Sequence, residues 1–161
     1  MEERISYLDY EDTKHRSDVK NLIKILQSYE MEIDDQLAIP TEQYCDETIA
    51  DFLENCELKD GKLLLAIYDG EIAGFIVLWQ ETDSSLYPLG YKWYSIEALV
   101  VRPQYRRMKI AKGLMVQAEK LAYSREIKQL RVNVLAANSL GLSAYSSSGF
   151  VPFEIILKKN L

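Results

Sequence analysis

Between Arg102 and Lys112 (RPQYRRMKIAK) the chain places five bases, Arg102, Arg106, Arg107, Lys109 and Lys112, and no acid. The run joins an apolar strand pattern to a helical one. A helix start offers unpaired N–H groups and about half a positive charge, so side-chain cations added there suit a polyanion such as a pyrophosphate. On composition alone a solvated or nucleic-acid-facing patch fits equally well; its place after a strand apolar on both faces favours phosphate. Glu97 is the second chemical signal. It interrupts the apolar run Ser95-Ile96-Glu97-Ala98-Leu99, where a lone buried carboxylate is costly. It reads as a general base acting directly or through water, or as a carboxylate at the strand's wet end or paired with a surface lysine.

These residues must be held by elements the pattern also predicts. Ile5–Tyr10 reads as a strand. Asp18–Glu30 is an amphipathic helix with Val19, Leu22, Ile23, Leu26 and Tyr29 at helical spacing. A polar acidic stretch follows, then a second helical pattern from Pro40 through Tyr44, Thr48, Phe52 and Leu53. Lys62–Tyr68 and Glu71–Trp79, joined by Asp69-Gly70, predict a β-hairpin. Trp93–Val101 is apolar on both alternations, a strand covered on both faces, and Pro103 ends it. Ile110–Tyr123 is helical, Gln129–Leu135 a strand, Ser139–Ser148 a short helix and Phe150–Leu157 a last strand. The expected fold is α+β: one domain over residues 1–161, with a mixed, mostly antiparallel sheet flanked by helices in the order β-α-α-β-β-β-α-β-α-β.

The chain of 161 residues, with 48% hydrophobic and 27% charged residues, has the composition of a folded domain. No run approaches the ~18 apolar residues of a membrane span, and the start lacks a secretory pattern, so a cytoplasmic protein without membrane partners is expected. The two cysteines, Cys45 and Cys56, are too far apart along one helix to bridge and have no zinc spacing; with His15 as the one histidine, no metal is expected. The net charge of −6 hides a split: residues 1–60 carry 17 acids and 6 bases, the rest 8 acids and 13 bases. An acidic chain is a poor general binder of nucleic acid, and none is expected as a partner. The aromatic stretch Tyr87–Trp93 suits either a homodimer contact or the mouth of a substrate site.

Two segments resemble the GNAT superfamily of acetyl-CoA-dependent N-acetyltransferases. Arg106-Arg107-Met108-Lys109-Ile110-Ala111 is similar to the family's pyrophosphate loop, Gln/Arg-x-x-Gly-x-Gly/Ala, at Arg106 and Ala111, with Lys109 in place of the central glycine. Asn138–Phe150 (NSLGLSAYSSSGF) resembles a second family signature at Asn138, Tyr145, Gly149 and Phe150, with Gly141 and Ala144 where larger residues are usual. The resemblance implies acetyl-CoA as co-substrate, its pyrophosphate held by main-chain N–H groups of Arg106, Arg107, Met108, Lys109, Ile110, Ala111 and Lys112. It implies that Leu99 and Val101 pair with the pantetheine and that the Leu99-Val100-Val101 backbone supplies an oxyanion donor. It makes Asn138 a pantetheine partner, besides a natural helix N-cap, Glu97 the base, and Tyr145 the acid that protonates the departing thiolate. The family's acceptor site lies between the first two helices. Here that connection holds Glu30, Glu32, Asp34 and Asp35, which suit a cationic amine, small molecule or peptide, or else form an exposed acidic loop. The expected activity is acetyl transfer to a primary amine by direct attack. A module that binds acyl-CoA without turnover is the alternative.

Overall fold

The hairpin predicted at Asp69-Gly70 forms the centre of the sheet. Both turn residues take positive φ, 48° and 84°, the backbone that lets a two-residue turn follow the twist of its strands. In the computed structural model, which describes residues 4–161, this turn joins β2 (Lys62–Tyr68) to β3 (Glu71–Glu81). β1 (Ile5–Asp9) pairs antiparallel with β2, β3 antiparallel with β4 (Trp93–Val101), and β4 parallel with β5 (Leu130–Val132), in spatial order β1-β2-β3-β4-β5. Helices α1 (Asp12–Ile33) and α2 (Glu42–Leu58) cover one face, where Val19, Leu22, Ile23, Ile49 and Phe52 meet Leu65, Phe75, Val77 and Trp79. Helix α3 (Ile110–Ser124) covers the other, packing Ile110, Leu114 and Ala118 against Ala66, Ile76, Leu78 and Tyr94. A short helix, α4 (Ser139–Ser147), follows β5.

The sheet is irregular where the chemistry was expected. Val77 pairs with Ala98 and Leu78 with Ile96, so Glu97 has no opposite residue. This is a β-bulge, one extra residue on one strand. Its effect on the core is direct: Tyr94 and Ile96, before it, pack in the α3 cluster, while Ala98 and Val100, after it, pack in the α1/α2 cluster. β4 is therefore not uniformly covered on both faces, and Glu97 itself is exposed. The bulge also marks where β4 and β5 part, because their pairing spans only Tyr94–Ile96 with Leu130–Val132. That is why β5 is shorter than the predicted Gln129–Leu135.

Three further expectations shift. α1 begins at Asp12 and runs to Ile33; its first turns, held by an Arg16–Asp12 ion pair of 2.7 Å, carry none of the apolar spacing that reveals a helix. The last strand predicted at Phe150–Leu157 does not form: Gly149 closes the turn after α4, no regular pairing follows it, and residues 151–161 are exposed. The cysteines, both on α2, are free as expected.

Gly74 holds β3 and β4 at their spacing. A Cβ there would lie 2.4 Å from the Val100 carbonyl oxygen and 3.2 Å from the Val101 Cα, so the backbone would have to move. Gly74→Ala is expected to lower the unfolding free energy in urea by about 1–3 kcal/mol, the usual cost of overpacking.

Candidate functional site

Past the bulge, β4 runs from Glu97 to Val101 with β3 on one side and no strand of the described residues on the other. Alternate backbone N–H and C=O groups on that edge are free to pair with an extended ligand. Leu99 and Val101 are half-buried toward the α3 side, whereas Val100 is buried in the α1/α2 core and can offer only its backbone. The chain then passes through a short turn (Pro103–Tyr105) into the loop before α3.

Arg102 does not join the basic loop. Its Nε donates to the Ile72 carbonyl and its guanidinium to Asp18 of α1, both at 2.8 Å. It is a tether between the strand end and α1. Arg106, Arg107, Lys109 and Lys112 are all exposed, and no ion pair to them occurs among the described residues. Arg107 and Lys109 take left-handed backbone, φ 64° and 63°. Lys109 is the N-cap of α3 and makes no side-chain capping bond. By contrast, Thr41 caps α2 by accepting from Tyr44 N, and Asn138 caps α4 by accepting from Gly141 N at 2.8 Å. The first amides of α3, at Ile110, Ala111 and Lys112, are thus left for a ligand at a point flanked by four cations. Ile110 contributes its amide alone, since its side chain is 1% exposed in the core. Such backbone suits an anion, and the left-handed φ at Lys109 is one that glycine adopts without strain.

Tyr145 projects from α4 and is buried. Its place is fixed by how the helix stops. Phe150 N donates to the Tyr145 carbonyl and Gly149 N to the Ser146 carbonyl, both at 3.1 Å, with Gly149 at φ 89°. This is a Schellman ending, and the expected apolar contact across it is the edge-on packing of Phe150 against the Tyr145 ring at 5.4 Å. Burial first, and the nearby Glu30 carboxylate second, push the Tyr145 phenol well above its ordinary value, so it keeps its proton over the whole neutral range.

A family model for acetyltransferases of the GNAT family matches residues 26–150, most of the chain and all of the site just described. The chain belongs to the GNAT acetyltransferase family. Among curated proteins, this family member is 38% identical over 52 residues to a spermidine N(1)-acetyltransferase of Thermoplasma acidophilum, a match spanning 32% of each chain. Among solved structures it shares its fold with the tetramutant of the BH1408 protein from Bacillus halodurans (TM-score 0.80, 16% identity, 98% of this chain and 99% of that one). It also shares it with the aminoglycoside N-acetyltransferase AAC(6')-Iy in complex with CoA (0.74, 18%, 98% and 94%). The aminoglycoside 6'-N-acetyltransferase AAC(6')-IG from Acinetobacter haemolyticus is similar at 0.73, 18% and 97% of both chains.

Within this GNAT fold the predicted acidic residues divide. Glu30 is half-buried on α1, and burial raises its carboxyl. It faces inward, acting through space on the hydroxyls of Tyr145 and Tyr44. Tyr44 in turn donates to Gln27 Oε1 at 3.0 Å. Glu32, Asp34 and Asp35 instead line a cavity of about 650 Å³ with Gln36, Lys158 and Asn160. Asp34 Oδ2 lies 3.8 Å from Lys158 Nζ. Neither Glu97 nor Tyr145 lines that cavity, and no hydrogen bond joins Glu97 to Tyr145 among the described residues. At Gly141, where larger residues are usual in the family signature, a Cβ would meet Asn138 Nδ2 at 2.8 Å, so the capping side chain would have to shift.

The inward position of Glu30 was missed because residues 30–35 look alike in sequence. On a helix, however, residues two apart point in different directions.

Two outcomes test this arrangement. Lys109→Gly is expected to raise stability in urea by about 0.5–1 kcal/mol, because relief of left-handed backbone outweighs the gain in unfolded-state freedom. Lys109→Ala, which keeps the Cβ, should show no such gain. For Glu30 the sign follows from its raised carboxyl: the folded chain binds the proton more tightly than the unfolded one, so stability falls as pH rises above the ordinary glutamate range. Glu30→Gln should therefore raise the melting temperature at neutral pH, with the gain vanishing in acid below 4.5, the ordinary value of a glutamate carboxyl.

Proposed function

We propose that the protein is an acetyl-CoA-dependent N-acetyltransferase acting on a primary amine of a small, cationic acceptor. The observation that supports it best is a pair of unpaired main-chain stretches on either side of a turn whose own amides, at Arg102, Tyr105 and Arg106, are already bonded. They are the open edge of β4 and the uncapped amides of α3. The loop amides and the four cations would hold the coenzyme's phosphates, and Leu99 and Val101 its pantetheine arm. Asn138 caps α4 through Oδ1, which leaves its amide nitrogen as a donor toward the pantetheine. Acetyl-CoA supplies an acetyl group activated as a thioester.

Direct attack agrees with the side chains present. Burial pushes the Cys56 thiol up to about 11 and raises Cys45 as well, so neither is a ready nucleophile near neutrality. His15 accepts from Glu11 N at 2.9 Å at the start of α1. In the proposed transfer the amine nitrogen bonds to the acetyl carbon, the carbon–sulfur bond breaks, a carboxylate takes the amine's proton and Tyr145 gives one to the sulfur. Glu97, at the bulge where β4 and β5 part, is the proposed base and can reach the amine through water. Glu30 is the second candidate for that proton, favoured by its half-buried place beside Tyr145. The carboxylates of Glu32, Asp34 and Asp35 would draw a cationic acceptor toward the cavity they line. The similar proteins named as spermidine and aminoglycoside acetyltransferases favour polyamines and amino sugars as first acceptors to try.

The test is release of free thiol from acetyl-CoA over a panel of amines including spermidine and an aminoglycoside. At least one amine should accelerate release, and Tyr145→Phe should lower kcat roughly 100-fold while coenzyme binding persists. Of Glu97→Gln and Glu30→Gln, the one that removes the acidic limb of the pH–rate profile, where activity falls as the base takes up its proton, identifies the proton acceptor. Coenzyme binding with no acceleration by any amine would favour instead an acyl-CoA-binding module without turnover.

A further inference from the structure

The loop between the Pro103–Tyr105 turn and α3 does not shape itself. Its side chains, Arg106, Arg107, Met108 and Lys109, are all exposed. Two of them stand on left-handed backbone, Arg107 at φ 64° and Lys109 at φ 63°. Residues with a Cβ resist that conformation, and it persists only where the surroundings impose it. With no buried side chain of its own, the loop must be held from its two ends. At one end Ile110, 1% exposed, is fixed in the core with Leu114 and Ala118. At the other end stands Tyr105.

Three successive residues at the start of β3 grip the turn that Tyr105 closes. Glu71 Oε2 accepts from the Tyr105 hydroxyl. The Ile72 carbonyl accepts from Arg102 Nε and the Ala73 carbonyl from Arg102 N, both at 2.8 Å. In a regular strand successive carbonyls point to opposite sides, so both could not meet one residue. A second bulge removes that limit: Ala66 pairs with Gly74 and Ile67 with Ile72, which leaves Ala73 without an opposite residue on β2. The Tyr105 ring also packs on that of Tyr68, the residue opposite Glu71 across the Asp69-Gly70 turn, with centroids 5.4 Å apart. Chiefly through its bond to Glu71, the Tyr105 phenol is raised above its ordinary value, so it stays a donor at neutral pH. Arg102 and Tyr105 thus have separate tasks. Arg102 fixes where β4 ends, through β3 and Asp18. Tyr105 is the last side chain held by a neighbour, among the described residues, before the left-handed loop begins.

Taking that loop as the phosphate site proposed above, we infer that Tyr105, clasped to Glu71, is a positioning residue for the coenzyme. It holds the loop in the one shape that presents its amides, and so sets coenzyme affinity without touching the reacting atoms. With the clasp open, the left-handed residues relax toward ordinary backbone, and the coenzyme must restore them on binding. If about one loop in ten then keeps the receptive shape, apparent affinity falls about tenfold.

Calorimetric titration of CoA into the whole chain tests this. Tyr105→Phe should weaken CoA binding about tenfold, raise KM for acetyl-CoA and leave kcat at saturation unchanged. Glu71→Ala, at an exposed site, should do the same, and the double variant should be no weaker than either alone. Glu71→Gln keeps an oxygen that accepts and should bind within about twofold of the parent. Without coenzyme, the Gly113 amide, which donates to the Lys109 carbonyl at 2.9 Å, should exchange faster in Tyr105→Phe. The urea midpoint should hold, because Arg102 still fastens the turn. Tyr123→Phe, which removes a hydroxyl from a 77% exposed residue of α3, should bind CoA as the parent does. Parent-like CoA binding by both Tyr105→Phe and Glu71→Ala overturns the inference. So does weaker binding matched in both variants by a lowered urea midpoint, which would make the clasp a matter of folding. A parent that binds no CoA overturns instead the reading of the loop as a phosphate site, and this inference with it.

Discussion

One extra residue in β4 organises the rest of the structure. With Glu97 unpaired opposite Val77 and Leu78, the strand changes which of its side chains face which helices, and its hydrogen bonding to β5 ends. A regular strand of the same sequence would keep Tyr94, Ile96, Ala98 and Val100 on one face. The bulge instead sends the first two toward α3 and the last two toward α1 and α2. The open edge of β4 follows from this, and with it a place inside the sheet where a long, thin ligand could lie as a strand would.

Around that opening, backbone devices position the polar groups more than side-chain contacts do. The left-handed residues before α3 leave its amides uncovered, and the Schellman ending of α4 locks Tyr145 between its own helix and Phe150. The Arg102–Asp18 pair ties the start of the basic loop to α1, the helix that also carries Glu30. With its partner groups only partly exposed and a second bond to the Ile72 carbonyl, this pair is better held than an ordinary surface ion pair. The start of the basic loop and Glu30 are therefore both referenced to α1.

Much of this was legible in the sequence. The hairpin at Asp69-Gly70, the helices by their apolar spacing, the basic loop and the Asn138–Phe150 segment all rest on local rules, which act over a few residues. The exceptions share a physical cause. The bulge at Glu97 depends on register against another strand, and nothing within Trp93–Val101 announces it. The start of α1 has polar turns stabilised by ion pairs rather than by a buried stripe. Phe150–Leu157 has the pattern of a strand, but a strand needs an edge to bond to, and pattern alone does not say whether one is offered. Lys109 stands out in the sequence as a departure from glycine; only its φ of 63° shows what the departure costs.

The division among the carboxylates at the end of α1 has a consequence for how this chain can vary. Each helical residue turns the next by about 100°. The distance along the chain from the core anchors Val19, Leu22 and Ile23 to Glu30 therefore acts as an angular gauge. Deleting or inserting a single residue between them would swing Glu30 out to solvent and carry a different side chain toward the phenol, with every residue type unchanged. Along this helix, count matters as much as chemistry.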